Sequence, residues 1–152
     1  MKRERYIIGL GQYFRSDDSI GLRVIDALIE RGLDKEFRAV SLGGDGLSAL
    51  AYFTEETSRI LFVDCALMDL APGEYRVFRP GEVASRKTLQ HLSTHESDIL
   101  TLIELARRAC ESIPEIRILA IQPESLEAGT ALSKPLADML DVYVQTALAE
   151  IG

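Results

Sequence analysis

The sequence predicts a three-layer α/β/α sandwich built on a mainly parallel, mixed sheet of five strands. Apolar segments of strand length alternate along the 152 residues with segments that repeat apolar residues at helical spacing. Because successive parallel strands need crossover connections, this alternation favours helices on both faces of the sheet. No repeat and no Pro-, Ser- or Gly-rich linker divides the chain, so we expect a single domain over residues 1–152.

Five segments have the character of strands. The most apolar is 60–63, which is bounded by Arg59 and Asp64. Residues 74–78 follow the turn signal Pro72-Gly73 and alternate polar with apolar side chains, as a half-exposed or edge strand does. The other three predicted strands cover residues 6–10, 37–42 and 116–121.

Four segments between these strands are predicted to be helical. The first contains apolar residues from Ile20 to Leu28, with Ser16 and Asp17 as candidate caps. A short helix over 47–53 follows a glycine cluster, and residues 93–96 have the form of a capping box that opens the third helix. Ser133 and Pro135 are expected to begin the last one.

Charge and composition disfavour several classes of function. The 17 Lys and Arg residues are outnumbered by 24 Asp and Glu residues, and no basic run occurs. Nucleic acids and anionic membranes both require clustered positive charge, so we expect neither as a partner. No apolar run approaches the length of a signal peptide or a membrane span, and Cys65 and Cys110 form no Cys-x-x-Cys pair. These features indicate a cytoplasmic protein.

Ligands of parallel α/β sheets gather beyond the carboxyl ends of the strands, which draws attention to the segments after Gly9, Val63 and Ile121. The turn Gly9-Leu10-Gly11 resembles the start of a dinucleotide site. However, Phe14 occupies the position of the third glycine, and the nearby acidic residues would repel a pyrophosphate. A tight turn is the favoured interpretation.

Three acidic residues near these strand ends are candidate functional groups. Asp17 and Asp18 precede the first helix, where acidic residues are favoured as caps. If one of them caps the helix, the other faces the crevice at the strand ends. Asp64 ends an apolar strand, where a carboxylate costs desolvation unless it meets a proton, a metal or a hydrogen-bond donor. An N-cap or loop hydrogen-bonding role for Asp64 stays open beside a metal-binding one.

Histidine is scarce in this chain, since only His91 and His95 occur. His95 with two carboxylates would form a nitrogen and oxygen ligand set that leaves room for an external ligand. Such a set suits nickel, zinc or iron and disfavours calcium or magnesium. His91 is interpreted as a surface residue, and Cys65 as a small buried apolar side chain. Neither a Gly-x-Ser-x-Gly nor a His-Glu-x-x-His motif is present.

Four blocks of sequence, in this order, carry a resemblance to a known family. They are residues 7–21 (IIGLGQ…RSDDSIG), 62–65 (FVDC), 93–95 (STH) and 121–125 (IQPES). Together they resemble the hydrogenase maturation endopeptidases, which remove the C-terminal tail of the large subunit of nickel-iron hydrogenases. The resemblance covers essentially the whole chain.

The resemblance implies roles for particular residues. Asp18, Asp64 and His95 match the metal-binding positions of the family, and we expect them to carry the reaction as well. The implied metal is nickel, supplied by a hydrogenase large-subunit precursor, with zinc or cadmium as possible surrogates. Gly43, Gly44 and Asp45 correspond to a loop associated with substrate choice or catalysis, and we expect them to bind substrate. Asp17 is retained as a capping residue.

Two departures from the family pattern leave alternatives open. Leu42 stands where an acid commonly precedes the glycines, with Asp45 three positions later, and Leu22 stands where proline is frequent. The leading hypothesis is therefore a nickel-dependent processing endopeptidase. The first alternative is a non-catalytic relative that still senses the metal or binds the precursor. The second is a small-ligand α/β domain in which Asp17, Asp18 and Asp64 are only caps.

Overall fold

The computed structural model describes residues 3–80 and 99–152. Two short 3-10 helices, Ser16–Ser19 and Gly46–Tyr52, lie within these ranges. None of the helices in the two described ranges is long and apolar enough to cross a membrane. The strands are β1 (Glu4–Leu10), β2 (Arg38–Gly43), β3 (Thr57–Cys65), β4 (Tyr75–Phe78) and β5 (Glu115–Ile121), and the α-helices are α1 (Ile20–Glu30), α2 (Ile99–Ala109) and α3 (Lys134–Ile151).

The strands form one sheet in the order β2-β1-β3-β5-β4. All neighbouring strands are parallel except β4, which runs antiparallel to β5 at the edge. One core lies between the sheet and helices α1 and α3, and a second lies between the opposite face and α2 with the 3-10 helix Gly46–Tyr52. The predicted three-layer α/β/α fold with a five-stranded mixed sheet is therefore confirmed.

Local details around the first two helical segments differ from expectation. Residues 16–19 form a separate 3-10 turn, and the N-cap of α1 is Ser19, which makes no side-chain capping bond. The prediction that Ser16 and Asp17 cap this helix is therefore wrong. The short helix expected over 47–53 is a 3-10 helix, Gly46–Tyr52. The capping box at 93–96 lies outside the described residues.

Helix α1 crosses the central strands with almost no space between backbones. A Cβ on Gly21 would lie 2.3 Å from the Val63 carbonyl oxygen and 2.4 Å from that of Leu10. A Cβ on Gly9 would lie 2.5 Å from the carbonyl oxygen of Gly21. All three distances are far inside van der Waals contact, so only glycine allows this approach. The start of α1 is thereby held over β1 and β3.

The opposite end of the sheet binds the C-terminus of α3 through arginines on three neighbouring strands. Arg5 donates to the Ile151 oxygen (3.0 Å), and Arg117 donates to the Glu150 oxygen (3.0 Å). Arg59 donates to the oxygens of Glu150 (3.2 Å) and Gly152 (2.6 Å). Carbonyl groups in the last turn of a helix have no partners within the helix and carry partial negative charge. The arginines therefore satisfy these groups and fix the helix end.

Replacing Arg59 with methionine is expected to lower the free energy of unfolding by about 1.5 kcal/mol, because charged hydrogen bonds to the helix end are lost. Urea denaturation followed by circular dichroism measures this change. The matched control is Arg107→Met, which removes an exposed ion pair with Glu104 and should change the free energy by less than about 0.5 kcal/mol. Equal effects of the two substitutions would contradict this account of the helix end.

Candidate active site

The sheet contains a point where the direction of strand addition reverses. From β1 the chain passes through α1 to β2 on one side, whereas β3 pairs with the other side of β1. In open α/β sheets the crevice beyond the carboxyl ends at such a point is the usual binding place. Asp18, in the 3-10 turn after β1, and Asp64, near the end of β3, are carried to this crevice. Their exposed fractions are only 0% and 5%.

The backbone of Asp18 is fixed by its contact with the end of β1. Its carbonyl oxygen accepts a hydrogen bond from the Gln12 amide (3.3 Å), and its own amide donates to the Arg15 carbonyl (3.0 Å). Gly11 has a φ of +143°, and a Cβ there would lie 2.0 Å from the Asp18 carbonyl oxygen. Glycine at position 11 is thus required for the turn that buries Asp18.

Asp64 is placed by the alternation of side chains along β3. Val63 and Cys65 belong to the core shared with α1 and α3, whereas Phe62 and Ala66 belong to the core on the opposite face. The Asp64 side chain therefore points toward the α2 side of the sheet. Its Oδ1 atom accepts a hydrogen bond from the Cys65 amide (2.8 Å). This bond orients the carboxylate. It is also a local hydrogen bond of the kind that the sequence left open as an alternative role for Asp64.

The pKa of the Cys65 thiol is shifted by the charged side chains of this region. Burial raises its pKa far above the usual value, and the negative charges of Asp64, Asp18 and Asp17 raise it further, while the positive charge of Arg15 lowers it. The three carboxylates and Arg15 thus act on one atom. A raised pKa disfavours the nucleophilic thiolate, and full burial agrees with the interpretation of Cys65 as a small buried apolar side chain.

Asp17 has a different role from the capping role predicted for it. Its Oδ2 atom accepts hydrogen bonds from the amides of Glu124 (2.9 Å) and Ser125 (3.1 Å) and from the Ser133 hydroxyl (2.8 Å). Its Oδ1 atom accepts from the Ser133 amide (2.7 Å). The partners lie more than 100 residues away in sequence, so the fully buried carboxylate joins the loop after β1 to the loop after β5.

Further bonds hold the same two loops together. The Ser16 amide donates to the Gly129 carbonyl (2.9 Å), and the Gly129 amide donates to the Phe14 carbonyl (3.0 Å). The Ser16 hydroxyl donates to the Glu127 carbonyl (2.8 Å). Ser133 is the N-cap residue of α3, as its sequence position predicts, so the Asp17 carboxylate also fixes the start of that helix.

Gln122 is a structural residue that the sequence indicated only as part of the segment 121–125, with no role of its own. It follows β5 directly, is largely buried, and its Oε1 atom accepts hydrogen bonds from the amides of Met68 (2.6 Å) and Leu70 (3.4 Å). Its main chain is bonded to Gly73 and Glu74. Gln122 therefore fixes the course of the chain immediately after Asp64 and Cys65.

The loop predicted to bind substrate borders the same crevice. The Gly43 carbonyl accepts a hydrogen bond from the Gly11 amide (3.1 Å), and a Cβ on Gly44 would lie 3.4 Å from Nε2 of Gln12. The exposed Asp45 carboxylate accepts from the Ser48 hydroxyl. Gly43 and Gly44 are thus adjacent to the end of β1, while the acid of this loop is bonded at the surface.

The third predicted ligand, His95, and the remaining histidine, His91, both lie outside the described residues. Within residues 3–80 and 99–152, no group of three or more His, Cys, Asp or Glu side chains could hold a metal ion. Of the three predicted ligands, Asp18 and Asp64 lie within the described residues, and both are buried near the carboxyl ends of the strands. Carboxylate oxygens fit a divalent metal only if further ligands come from elsewhere.

Comparison with protein families and curated sequences identifies relatives across most of the chain. Residues 22–150 match the family model described as HycI, hydrogenase maturation protease. The hydrogenase 2 maturation protease of Escherichia coli is 23% identical over 146 residues, which cover 95% of this chain and 88% of that protein. A putative hydrogenase maturation protease of Methanocaldococcus jannaschii is 28% identical over 130 residues, covering 80% of this chain and 73% of the relative.

Solved structures share the fold. The HybD maturation protease of Thermococcus kodakarensis superposes with a TM-score of 0.83 at 23% identity, covering 98% of this chain and 99% of that one. The endopeptidase HybD of Escherichia coli gives a TM-score of 0.81 at 20% identity, with coverage of 97% and 91%. At these identities the structures establish the architecture.

Replacing Asp17 with alanine is expected to lower the free energy of unfolding by about 3 kcal/mol, because buried amides of the loop after β5 lose a charged acceptor. Denaturant unfolding measures the loss. Asp138→Ala is the matched control, since it removes an exposed carboxylate that pairs with Lys134 within α3. It should cost less than about 0.5 kcal/mol. A loss for Asp17→Ala no larger than for the control would contradict the anchoring role.

Proposed function

The chain belongs to the hydrogenase maturation protease family, and on that premise we propose that it removes the C-terminal tail of a nickel-loaded hydrogenase large-subunit precursor. Membership makes the chain a peptide hydrolase. The observation that carries the finer proposal is the pair of buried carboxylates, Asp18 and Asp64, at the reversal point of the sheet. Among the described residues the only other buried charged side chain is that of Asp17, and buried carboxylates are costly for stability.

These carboxylates suit the proton transfers of peptide hydrolysis. One carboxylate accepts the proton of the attacking water and returns a proton to the leaving amine, as a general base and acid. Such a transfer requires a carboxylate with a fixed orientation. The hydrogen bond from the Cys65 amide to Oδ1 of Asp64 fixes the orientation of this carboxylate. The rigid turn that holds the Asp18 backbone has the same effect on the second acid.

Nickel enters this proposal as part of the substrate. A precursor that already holds the metal through its own thiolates would present it to Asp18, Asp64 and His95. The donor chemistry supports this arrangement, because two carboxylates alone are too few for a complete site and mixed oxygen and nitrogen ligands suit nickel. When bound there, the metal would polarise the scissile carbonyl and select one peptide bond.

Substrate choice is assigned to Gly43, Gly44 and Asp45, which border the crevice next to the end of β1. An extended peptide that reaches Asp18 and Asp64 from this side would pass the two glycines, where the lack of side chains lets backbones approach closely. We place the reaction in the cytoplasm, where thiols such as the free Cys65 and Cys110 stay reduced.

The substitutions Asp18→Asn and Asp64→Asn are each expected to slow cleavage of the nickel-loaded precursor by a factor of about 10² to 10⁴, because a neutral amide cannot transfer the proton. Mass spectrometry of the precursor over time measures the rate. Asp34→Asn is the matched control, since Asp34 is an exposed acid just before β2, at the amino ends of the strands and away from the crevice, and its rate should equal that of the wild type. His95→Ala should behave like the two site variants, and His91→Ala like the control.

Circular dichroism spectra establish that each of these variants is folded before its rate is compared. Wild-type rates in folded Asp18→Asn and Asp64→Asn would refute the catalytic assignment. A precursor prepared without nickel should stay uncut by the wild-type protein, and rapid cleavage of that precursor would refute the recognition of nickel.

A non-catalytic, precursor-binding role is the second candidate, and one observation favours it. Leu42, in place of the acid common in the family, is partly buried and packs on the core at the α2 face. The nearby Asp45 carboxylate is bonded to Ser48 and lies at the exposed surface. The loop thus has no acidic side chain at position 42. A relative without cleavage activity would still bind the precursor through Asp18 and Asp64.

The substitution Leu42→Asp distinguishes these two functions, with Leu42→Asn as the isosteric, uncharged control. If the chain is an active protease, neither variant should cleave the precursor faster than the wild type, because no catalytic acid is missing. If it is a binding relative, the wild type is inactive, and Leu42→Asp gains a cleavage rate that Leu42→Asn lacks. Cleavage and precursor binding are measured in the same preparations.

A further inference from the structure

Arg15 differs from the other half-buried arginines in the described part of the chain. Arg5, Arg59 and Arg117 are also half-buried, and each donates hydrogen bonds to main-chain oxygens at the end of α3. In residues 3–80 and 99–152, by contrast, no side-chain hydrogen bond or ion pair engages the Arg15 guanidinium. A guanidinium carries five donors, so a half-buried one without a structural role is available for a ligand.

The backbone around Arg15 is already fixed. On one side the Phe14 carbonyl accepts from the Gly129 amide (3.0 Å), and on the other the Ser16 amide donates to the Gly129 carbonyl (2.9 Å). The Arg15 carbonyl accepts from the Asp18 amide (3.0 Å). Binding of a ligand to this side chain therefore has only a small entropic cost for ordering the loop that contains Arg15.

Arg15 also lies at the candidate active site. It precedes Asp18 by one 3-10 turn, and its charge acts on the Cys65 thiol together with the charges of Asp64, Asp18 and Asp17. The adjacent Phe14 exposes 74% of its surface, the largest exposed fraction among the large apolar side chains of the described residues. A cation and an exposed aromatic ring are thus neighbours on the rim of an acidic crevice.

We propose that Arg15 is a substrate-binding residue whose guanidinium donates hydrogen bonds to a main-chain carbonyl oxygen of the peptide entering the crevice. This inference rests on the proposed function and names a contact that positions its substrate. Phe14 would cover an apolar side chain of the same peptide. A carbonyl is preferred over a carboxylate because Asp17, Asp18 and Asp64 repel an acidic segment, whereas an extended peptide offers a carbonyl every ~3.3 Å.

The test compares steady-state cleavage of the nickel-loaded precursor by the wild type, Arg15→Met, Arg15→Gln and Arg15→Lys. Loss of a charged hydrogen bond to bound peptide should raise KM about tenfold in Arg15→Met, with kcat changed less than about twofold. Glutamine and lysine keep a donor, so both should recover part of the affinity. Arg31→Met, which removes only an exposed ion pair with Asp141, is the control and should leave KM unchanged.

Three results would overturn the assignment of Arg15. The first is a wild-type KM in Arg15→Met, and the second is a fall in kcat without a rise in KM. The third is full recovery by lysine with none by glutamine, because that pattern indicates a counter-charge for the carboxylates and no hydrogen bond to peptide.

Calorimetric binding of the precursor separates this inference from the proposed function. If the wild type leaves the precursor uncut, the proposed cleavage is refuted, but Arg15→Met should still weaken binding about tenfold relative to the wild type. Equal binding by Arg15→Met and the wild type would overturn the role of Arg15 in that case as well.

Discussion

The approach of α1 to the central strands is the constraint on which the rest of the site depends. Gly9 and Gly21 let the helix backbone contact β1 and β3, and Gly11 lets the preceding turn close on the end of β1. A side chain at any of these positions would push the turn away from the sheet. Asp17 and Asp18 would then be exposed to water, and the crevice would lose one of its two buried carboxylates.

The adjacent residues Asp17 and Asp18 have different roles. The Asp17 carboxylate accepts four hydrogen bonds, from the loop after β5 and from Ser133, so its charge stabilises the structure. Asp18, like Asp64, is buried near the carboxyl ends of the strands, and its carboxylate is the one proposed to act on the substrate. Helix α3 is consequently fixed at both ends, by Asp17 at its start and by arginines at its end. These hydrogen bonds connect the loops after β1 and β5 to the start of the helix, and strand β3 to its end.

Local patterns were sufficient to predict the fold class, the order of the strands along the chain and the segments that border the crevice. Apolar runs such as residues 60–63 and the alternation in 74–78 depend on burial, which a sequence displays directly. The role of Asp17 could not be predicted in this way, since its partners lie 107 to 116 positions away. From neighbouring residues alone, Asp17 is best explained as a helix cap. In the structure its carboxylate instead accepts hydrogen bonds from the distant loop after β5.

The same reason explains what else escaped prediction. Gln122 acts through amides on another loop, and Arg59 acts through the end of a helix that begins 75 positions later, so neither has a local signature. Asp18 and Asp64 could be named because the carboxyl ends of parallel strands converge, which is a property of the topology. The chemistry assigned to Asp18, Asp64 and His95 comes from the family resemblance, and for all three it stays a prediction.

The most direct measurement of the central claim is the intact mass of a nickel-containing hydrogenase large-subunit precursor after incubation with the purified chain. The account predicts two products, the shortened subunit and its C-terminal tail peptide, and no change of mass when Asp64→Asn replaces the wild type. A precursor of unchanged mass after incubation with folded wild-type protein, at a concentration where binding is saturated, would contradict it.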